Sequence, residues 1–123
     1  MIVLDEQLND YRIFEDLEKW YKGKVIHIKE LRPKTLVDDD NIASLLLTVK
    51  EPTFVTINYT DFWKVIPAHQ RYCVVCFTLK GELTLEIPNR LREIFKNPEL
   101  KTKRARMGKV ISARGVINWY SVE

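Results

Sequence analysis

Ile2-Val3-Leu4 is a short apolar run that ends in two acids, Asp5 and Glu6. A run too short for a helix face predicts a buried first strand, with both carboxylates delivered at its carboxyl end. Leu8, Tyr11, Phe14, Leu17 and Tyr21 then recur at steps of three or four, which predicts an amphipathic helix over residues 9 to 21. Asn9 is placed to cap that helix and Gly23 to end it. Val25-Ile26-His27-Ile28 reads as a second strand. After a loop containing Pro33, Asp38-Asp39-Asp40-Asn41 opens a second helix that sets Ile42, Leu45, Leu46 and Val49 on one face.

Thr53 to Thr56 predicts a third strand, which runs into the polar stretch Asn58-Tyr59-Thr60-Asp61 and a short helix over residues 61 to 65. Tyr72 to Leu79 is the most apolar run and predicts a central strand, with a turn at Lys80-Gly81. Residues 88 to 96 read as a helix with Pro88 near its first turn, and with Leu91, Ile94 and Phe95 facing inward. A polar, basic loop is expected over residues 97 to 108. Val110 to Ala113 and Val116 to Val122 read as a hairpin around Arg114-Gly115. Short apolar strands alternating with helices predict an α/β domain with a mainly parallel sheet flanked by helices. Ligands bind such sheets at the carboxyl ends of the strands, where Asp5, Asn58 and Asp61 are all expected.

Size and composition narrow this further. A chain of 123 residues is one domain, residues 1–123, since halves would be too small to bury useful cores. The 46% hydrophobic and 30% charged content excludes a disordered chain. The longest uncharged runs, Asn41 to Val49 and Pro52 to Thr60, fall far short of the roughly 20 residues of a membrane span. The N-terminal MIVLDEQL lacks the basic region of a secretory signal, and two cysteines make no disulfide scaffold, so a reducing, cytoplasmic setting is expected. Charge is uneven. Residues 90–114 carry nine bases against Glu93 and Glu99, a net +7, whereas the remainder carries 11 bases and 15 acids, a net −4.

Several carboxylates without His or Cys companions suit a hard cation such as Mg²⁺ or Mn²⁺, which prefers oxygen ligands. Against this, acids at Asp38 to Asp40 equally suit a solvated helix start. Asp5 is different, because an acid ending a buried strand needs a partner. The basic run Lys101, Lys103, Arg104 and Arg106 either holds phosphate backbones or is a solvated loop that offsets the acidic body. Cys73 and Cys76 form a C-x-x-C, but three apart in a strand they point to opposite faces and read as core thiols. His27 and His69 lack metal-ligand spacing and read as structural. Trp20, Phe62 and Trp63 read as core residues. No Gly-rich phosphate loop is present, which argues against a nucleotide-dependent enzyme.

Four blocks together resemble a family. Asp5-Glu6-Gln7-Leu8, Glu30-Leu31-Arg32, Asp39-Asp40-Asn41-Ile42 and Val55-Thr56-Ile57-Asn58-Tyr59-Thr60-Asp61-Phe62 are similar to the motifs of small prokaryotic PIN-like proteins, relatives of VapC-type toxin ribonucleases. Tyr72 to Leu79 and Val110 to Val122 are similar to that family's later strand and C-terminal β-hairpin. The resemblance implies a PIN-like, Rossmann-type sheet and metal-dependent hydrolysis of RNA, with Mg or Mn as cofactor. Carried over by position, Asp5, Asp39 and Asp61 are the implied catalytic and metal-site acids, with Asn58 as a further ligand. RNA, an antitoxin protein and a second copy of the chain are the implied partners. Asn58 stands where the family usually has Asp, with one extra residue before Asp61. The alternative expectation is therefore a catalytically silent PIN-like module that binds nucleic acid or a protein.

Overall fold

Cys73–Phe77, from the most apolar run, forms a strand in which all five residues are buried. A strand covered on both faces reads as a continuous apolar stretch rather than an alternating one. The structure, a computed structural model, describes residues 1–31, 39–57, 66–114 and 116–121; at 39–41, 114 and 116 it describes the backbone alone. The described chain forms β1 (Ile2–Leu4), α1 (Tyr11–Glu18), β2 (Val25–His27), a 3-10 turn (Ile28–Leu31), α2 (Asp39–Leu46), β3 (Thr53–Thr56) and β4 (Cys73–Phe77). A second 3-10 segment (Gly81–Glu86) follows, then α3 (Ile87–Lys96), α4 (Lys103–Arg106), β5 (Lys109–Arg114) and β6 (Val116–Ser121).

The six described strands make one sheet in the order β2-β1-β3-β4-β5-β6. β1 to β5 are parallel, and β6 returns antiparallel to β5 as the expected hairpin. Alternation along each strand sorts side chains to two faces. Ile2, Leu4, Val55, Val75, Phe77 and Ile111 pack with Ile13 and Leu17 of α1 and Leu91 and Ile94 of α3. Val3, Phe54, Val74 and Val110 pack with Ile42, Leu45 and Leu46 of α2. Helices therefore cover both faces, an α/β architecture in three layers.

Several local expectations shift. α1 is shorter than residues 9 to 21, and its cap is Asp10, whose side chain accepts from Arg12 N at 2.9 Å, rather than Asn9. The chain leaves the helix after Glu18, so Gly23 does not end it. Ile28 belongs to a 3-10 turn rather than to β2, and Val49 lies beyond α2. The turn at Lys80-Gly81 opens into the 3-10 segment, and Gly81 adopts φ +56, where a side chain is strained. Trp20 packs against the core, edge-on to Tyr21 and Phe95. Phe62, Trp63 and the helix expected over residues 61 to 65 lie outside the described residues. No described helix is long and apolar enough to cross a membrane.

Parallel strands enter the sheet at one edge and leave it at the other. β1 lies between β2 and β3, so the connections from β1 run to opposite sides of it. Open α/β sheets bind ligands at such a reversal, in a crevice outside the carboxyl ends of the two strands, here β1 and β3.

Candidate functional site

Asp5 follows β1 directly and stands at this crevice. Its backbone N–H donates to Val55 O of β3 at 3.0 Å, and its C=O accepts from Leu8 N at 2.9 Å. These bonds turn the chain sharply at the strand end and hold the side chain back against the sheet. Asp5 is only 7% exposed. One carboxylate oxygen, Oδ1, accepts from Glu6 N, and the other, Oδ2, accepts from the hydroxyl of Thr56 at the end of β3, each at 2.7 Å. A buried carboxylate needs such donors to offset lost hydration. Thr56 is itself fully buried, so the pair ties β1 to β3 across the point of reversal.

β2 contributes the next layer. His27 Nδ1 accepts from Lys29 N, which leaves the ring proton on Nε2, facing Glu6 O at 3.3 Å. Glu30 Oε2 accepts from His27 N at 2.8 Å and closes the end of β2. Glu6 Oε1 is buried with no hydrogen-bond partner among the described residues, and Lys29 Nζ lies 4.0 Å from it. His27 thus braces the loop carrying Glu6. Thr56 and Glu30 were not read from the sequence as parts of the site. The available signal was their position: Thr56 is a polar residue ending an apolar strand, and Glu30 lies three residues past a strand residue whose N–H needs an acceptor.

Of the four expected metal-site residues, Asp5 is the one whose side chain is described. Asp39 is the first residue of α2, with its backbone alone described, and Asn58 and Asp61 lie outside the described residues. Among the described residues, no group of three or more His, Cys, Asp or Glu is arranged to hold a metal ion. No family model, curated protein or solved structure matches the chain. Two cavities bordered by described residues lie away from Asp5. One of about 120 Å³ sits against Phe77, Ile94 and Ile117, and one of about 330 Å³ lies against Asp16, Trp20 and Arg92 of the α1 and α3 region.

Cys76, on β4 beside Thr56, belongs to the same neighbourhood. Burial pushes its thiol up to about 12, and the Asp5 carboxylate adds to the shift. Cys73 on the opposite face is also pushed up to about 12 by burial. The two thiols lie in separate cores, as a strand spacing of three requires, and neither is a nucleophile near neutral pH. A thiol that holds its proton more tightly when folded stabilises the fold fully below its ordinary value of 9.0, and that contribution is lost as pH rises toward 12. Denaturation midpoints near pH 8 and about pH 10.5 should therefore diverge strongly for wild type and less for Cys73→Ala/Cys76→Ala. Tyr72, pushed up from 10.0 to about 12 by burial, is present in both proteins. An equal decline in both would assign the alkaline loss to groups other than the thiols.

The basic run sits elsewhere. Lys103 Nζ lies 3.8 Å from the Glu51 carboxylate, just before β3, and Gly108 N donates to Tyr72 O, just before β4. Lys101, Lys103, Arg104 and Arg106 thus lie at the edge where strands begin, across the sheet from Asp5. The five-residue β4 separates the two edges by about 16 Å at 3.3 Å per residue. Nor is the run a wholly solvated loop. Residues 103–106 form one helical turn, capped by Thr102 Oγ1 accepting from Ala105 N, and Arg106 is 6% exposed. Its Nη1 donates to Leu100 O at 3.0 Å and Lys101 O at 3.2 Å, and its guanidinium carbon lies 3.8 Å from the Phe95 ring centroid. Arg106 is a core cation. Lys101, Lys103 and Arg104 are the exposed ones.

Proposed function

We propose that this chain is a PIN-like, metal-dependent ribonuclease that hydrolyses RNA phosphodiester bonds, of the kind that serves as the toxin in a toxin–antitoxin pair. The observation that carries the reading is Asp5, a buried carboxylate at the β1/β3 crevice with each oxygen fixed by a donor. The donor set fits a hard divalent ion. A carboxylate supplies the hard oxygen ligands that Mg²⁺ and Mn²⁺ prefer. Asp39, Asn58 and Asp61 are the further oxygen ligands in this reading. When bound, the ion supplies an activated water and neutralises charge developing on the phosphodiester.

The chain's own residues do the rest. Thr56 Oγ1 and Glu6 N–H hold the Asp5 carboxylate in one orientation, as outer hydrogen bonds orient ligands at metal sites generally. His27 and Glu30 fix the end of β2 beside it, which sets the path of the Glu6 loop. Leu4, Val55 and Val75, fully buried at or within two residues of the ends of β1, β3 and β4, anchor those strand ends in the core. Such rigidity favours catalysis by positioning.

Asn58 favours a second reading, the silent nucleic-acid or protein-binding module, because an amide brings no charge to a cation. One experiment separates the two. Purified protein is titrated with Mn²⁺ and then given labelled single-stranded RNA. The ribonuclease reading expects saturable Mn²⁺ binding and cleavage that chelator abolishes. RNA bound but uncut at any Mg²⁺ or Mn²⁺ concentration, with no saturable Mn²⁺ binding, would establish the silent module instead.

A further inference from the structure

Bases far apart in the chain are collected at one edge of the sheet. The described segments that lead into β2, β3, β4 and β5 are residues 19–24, 47–52, 66–72 and 97–108. They hold eight exposed bases (Lys19, Lys22, Lys24, Lys50, Arg71, Lys101, Lys103 and Arg104), besides the buried Arg106, against two acids, Glu51 and Glu99. The described segments that leave the strands, residues 5–10, 28–31 and 78–86, hold the reverse: Lys29 and Lys80 against Asp5, Glu6, Asp10, Glu30, Glu82 and Glu86. Among the described residues the sheet is thus polarised, with a basic rim at its entry edge and an acidic rim at its exit edge.

We propose that the entry edge is a binding surface for single-stranded nucleic acid, separate from the Asp5 crevice. The segments that carry these bases enter neighbouring strands: Lys22 and Lys24 lead into β2, Lys50 into β3, Arg71 into β4, and Lys101 and Arg104 lie in the segment that leads into β5, whose Lys103 reaches Glu51 before β3. Neighbouring strands lie about 4.8 Å apart, so four steps from β2 to β5 make a strip of about 19 Å. A flexible polyanion can follow a strip of that length, and Lys22, Lys24, Lys50, Lys101 and Arg104 are exposed to meet it. Lys24, Lys50, Lys101 and Arg104 have no ion-pair partner among the described residues, whereas Lys19 is engaged by Asp16 and Lys103 by Glu51.

Aromatic rings at the same edge decide between an acidic protein and a nucleic acid. β6 runs antiparallel, so its last residues return to the entry edge, and Tyr120 pairs with Val110 there. Tyr120 is 36% exposed. His69, half-buried, stacks on Tyr72 with centroids 5.4 Å apart, just before β4. Cations that follow a backbone, flanked by rings on which bases stack, are the recurring composition of single-strand binding surfaces. An acidic peptide would use the cations and gain little from the rings.

The proposal rests on the ribonuclease reading only in taking RNA as the probe. Binding is measured by fluorescence anisotropy with a labelled oligouridylate of about 12 nucleotides, in chelator, so that no cleavage enters. Lys24→Ala/Lys50→Ala/Arg104→Ala should bind more weakly, and the slope of log affinity against log salt should fall by about 2, or 0.7 per lost phosphate contact. Lys29→Ala/Lys80→Ala, at the exit edge, should keep the wild-type slope. Tyr120→Ala should weaken binding roughly tenfold at an unchanged slope, as loss of one stacked base does. An unchanged slope in the triple variant, or an equal fall in the exit-edge variant, would overturn the surface. Poly-glutamate of equal charge that competes as well as oligouridylate would assign it to an acidic protein instead. Mn²⁺-dependent cleavage is read separately, so loss of the catalytic reading leaves this outcome intact.

Discussion

Asp5→Asn is expected to lower Mn²⁺-dependent RNA cleavage by about a thousandfold or more, equivalent to roughly 4 kcal/mol of transition-state stabilisation. The geometry makes this an unusually clean substitution. Asn keeps an oxygen to accept from Glu6 N, and its new amide donor meets the Thr56 hydroxyl, which can turn from donor to acceptor. The local hydrogen bonds survive while the charge that would hold a cation is lost. RNA affinity in chelator should be unchanged, because the surface bases carry it. Thr56→Val is the companion variant. It keeps the Asp5 charge but removes one donor to a buried carboxylate, at a stability cost of about 1–3 kcal/mol. Cleavage by Thr56→Val should fall less than by Asp5→Asn, since its effect acts through orientation. Undiminished cleavage by Asp5→Asn would remove Asp5 from the reaction and the crevice from the proposed function.

Arg106→Ala is expected to destabilise the fold by about 3 kcal/mol, whereas Arg104→Ala, two residues away, should change it by less than about 0.5 kcal/mol. Both are arginines in the same helical turn, and their surroundings make the difference. Arg104 is exposed. Arg106 satisfies the carbonyls of Leu100 and Lys101 from within the core and lies over Phe95. Truncation leaves two carbonyls short of a donor, removes a cation–π contact worth up to about 2 kcal/mol when desolvated, and opens a void against α3. Burial of the guanidinium carries its own cost and lowers its pKa, which keeps the net effect below the sum of these parts. Arg106→Lys should recover only part of the loss, because an ammonium loses the flat guanidinium face that lies over the Phe95 ring. Thermal melts of the four proteins check this. For a chain of this length, about 3 kcal/mol corresponds to a fall in Tm of roughly 10–15 °C. Equal melting of Arg106→Ala and Arg104→Ala would contradict the buried arrangement.

The contrast between these two arginines shows what local pattern can and cannot carry. Strand and helix identity follows from side-chain periodicity, a property of neighbours in sequence. The third strand was therefore legible to the residue as Thr53–Thr56, and the uncharged run around Cys73–Phe77 could only be a strand buried on both faces. The opposite facing of Cys73 and Cys76 followed from the same geometry. So did the place of Asp5, since a carboxylate ending a buried strand in a parallel sheet must stand at the exit edge. Its partner was not legible. Thr56 is 51 positions away, and only the placement of β3 beside β1, rather than beside another strand, brings its hydroxyl to Oδ2. Arg106 misled for a related reason. A guanidinium in a polar run reads as solvated, and nothing near it in sequence announces that α3 will bring Phe95 beneath it. The basic rim required the most from tertiary structure. Residues 90–114 show a local excess of charge, but Lys22, Lys24, Lys50 and Arg71 are isolated bases with no pattern among them. Parallel strands gather them because each connection must return to the same edge before the next strand begins, and that constraint exists only once the sheet has formed.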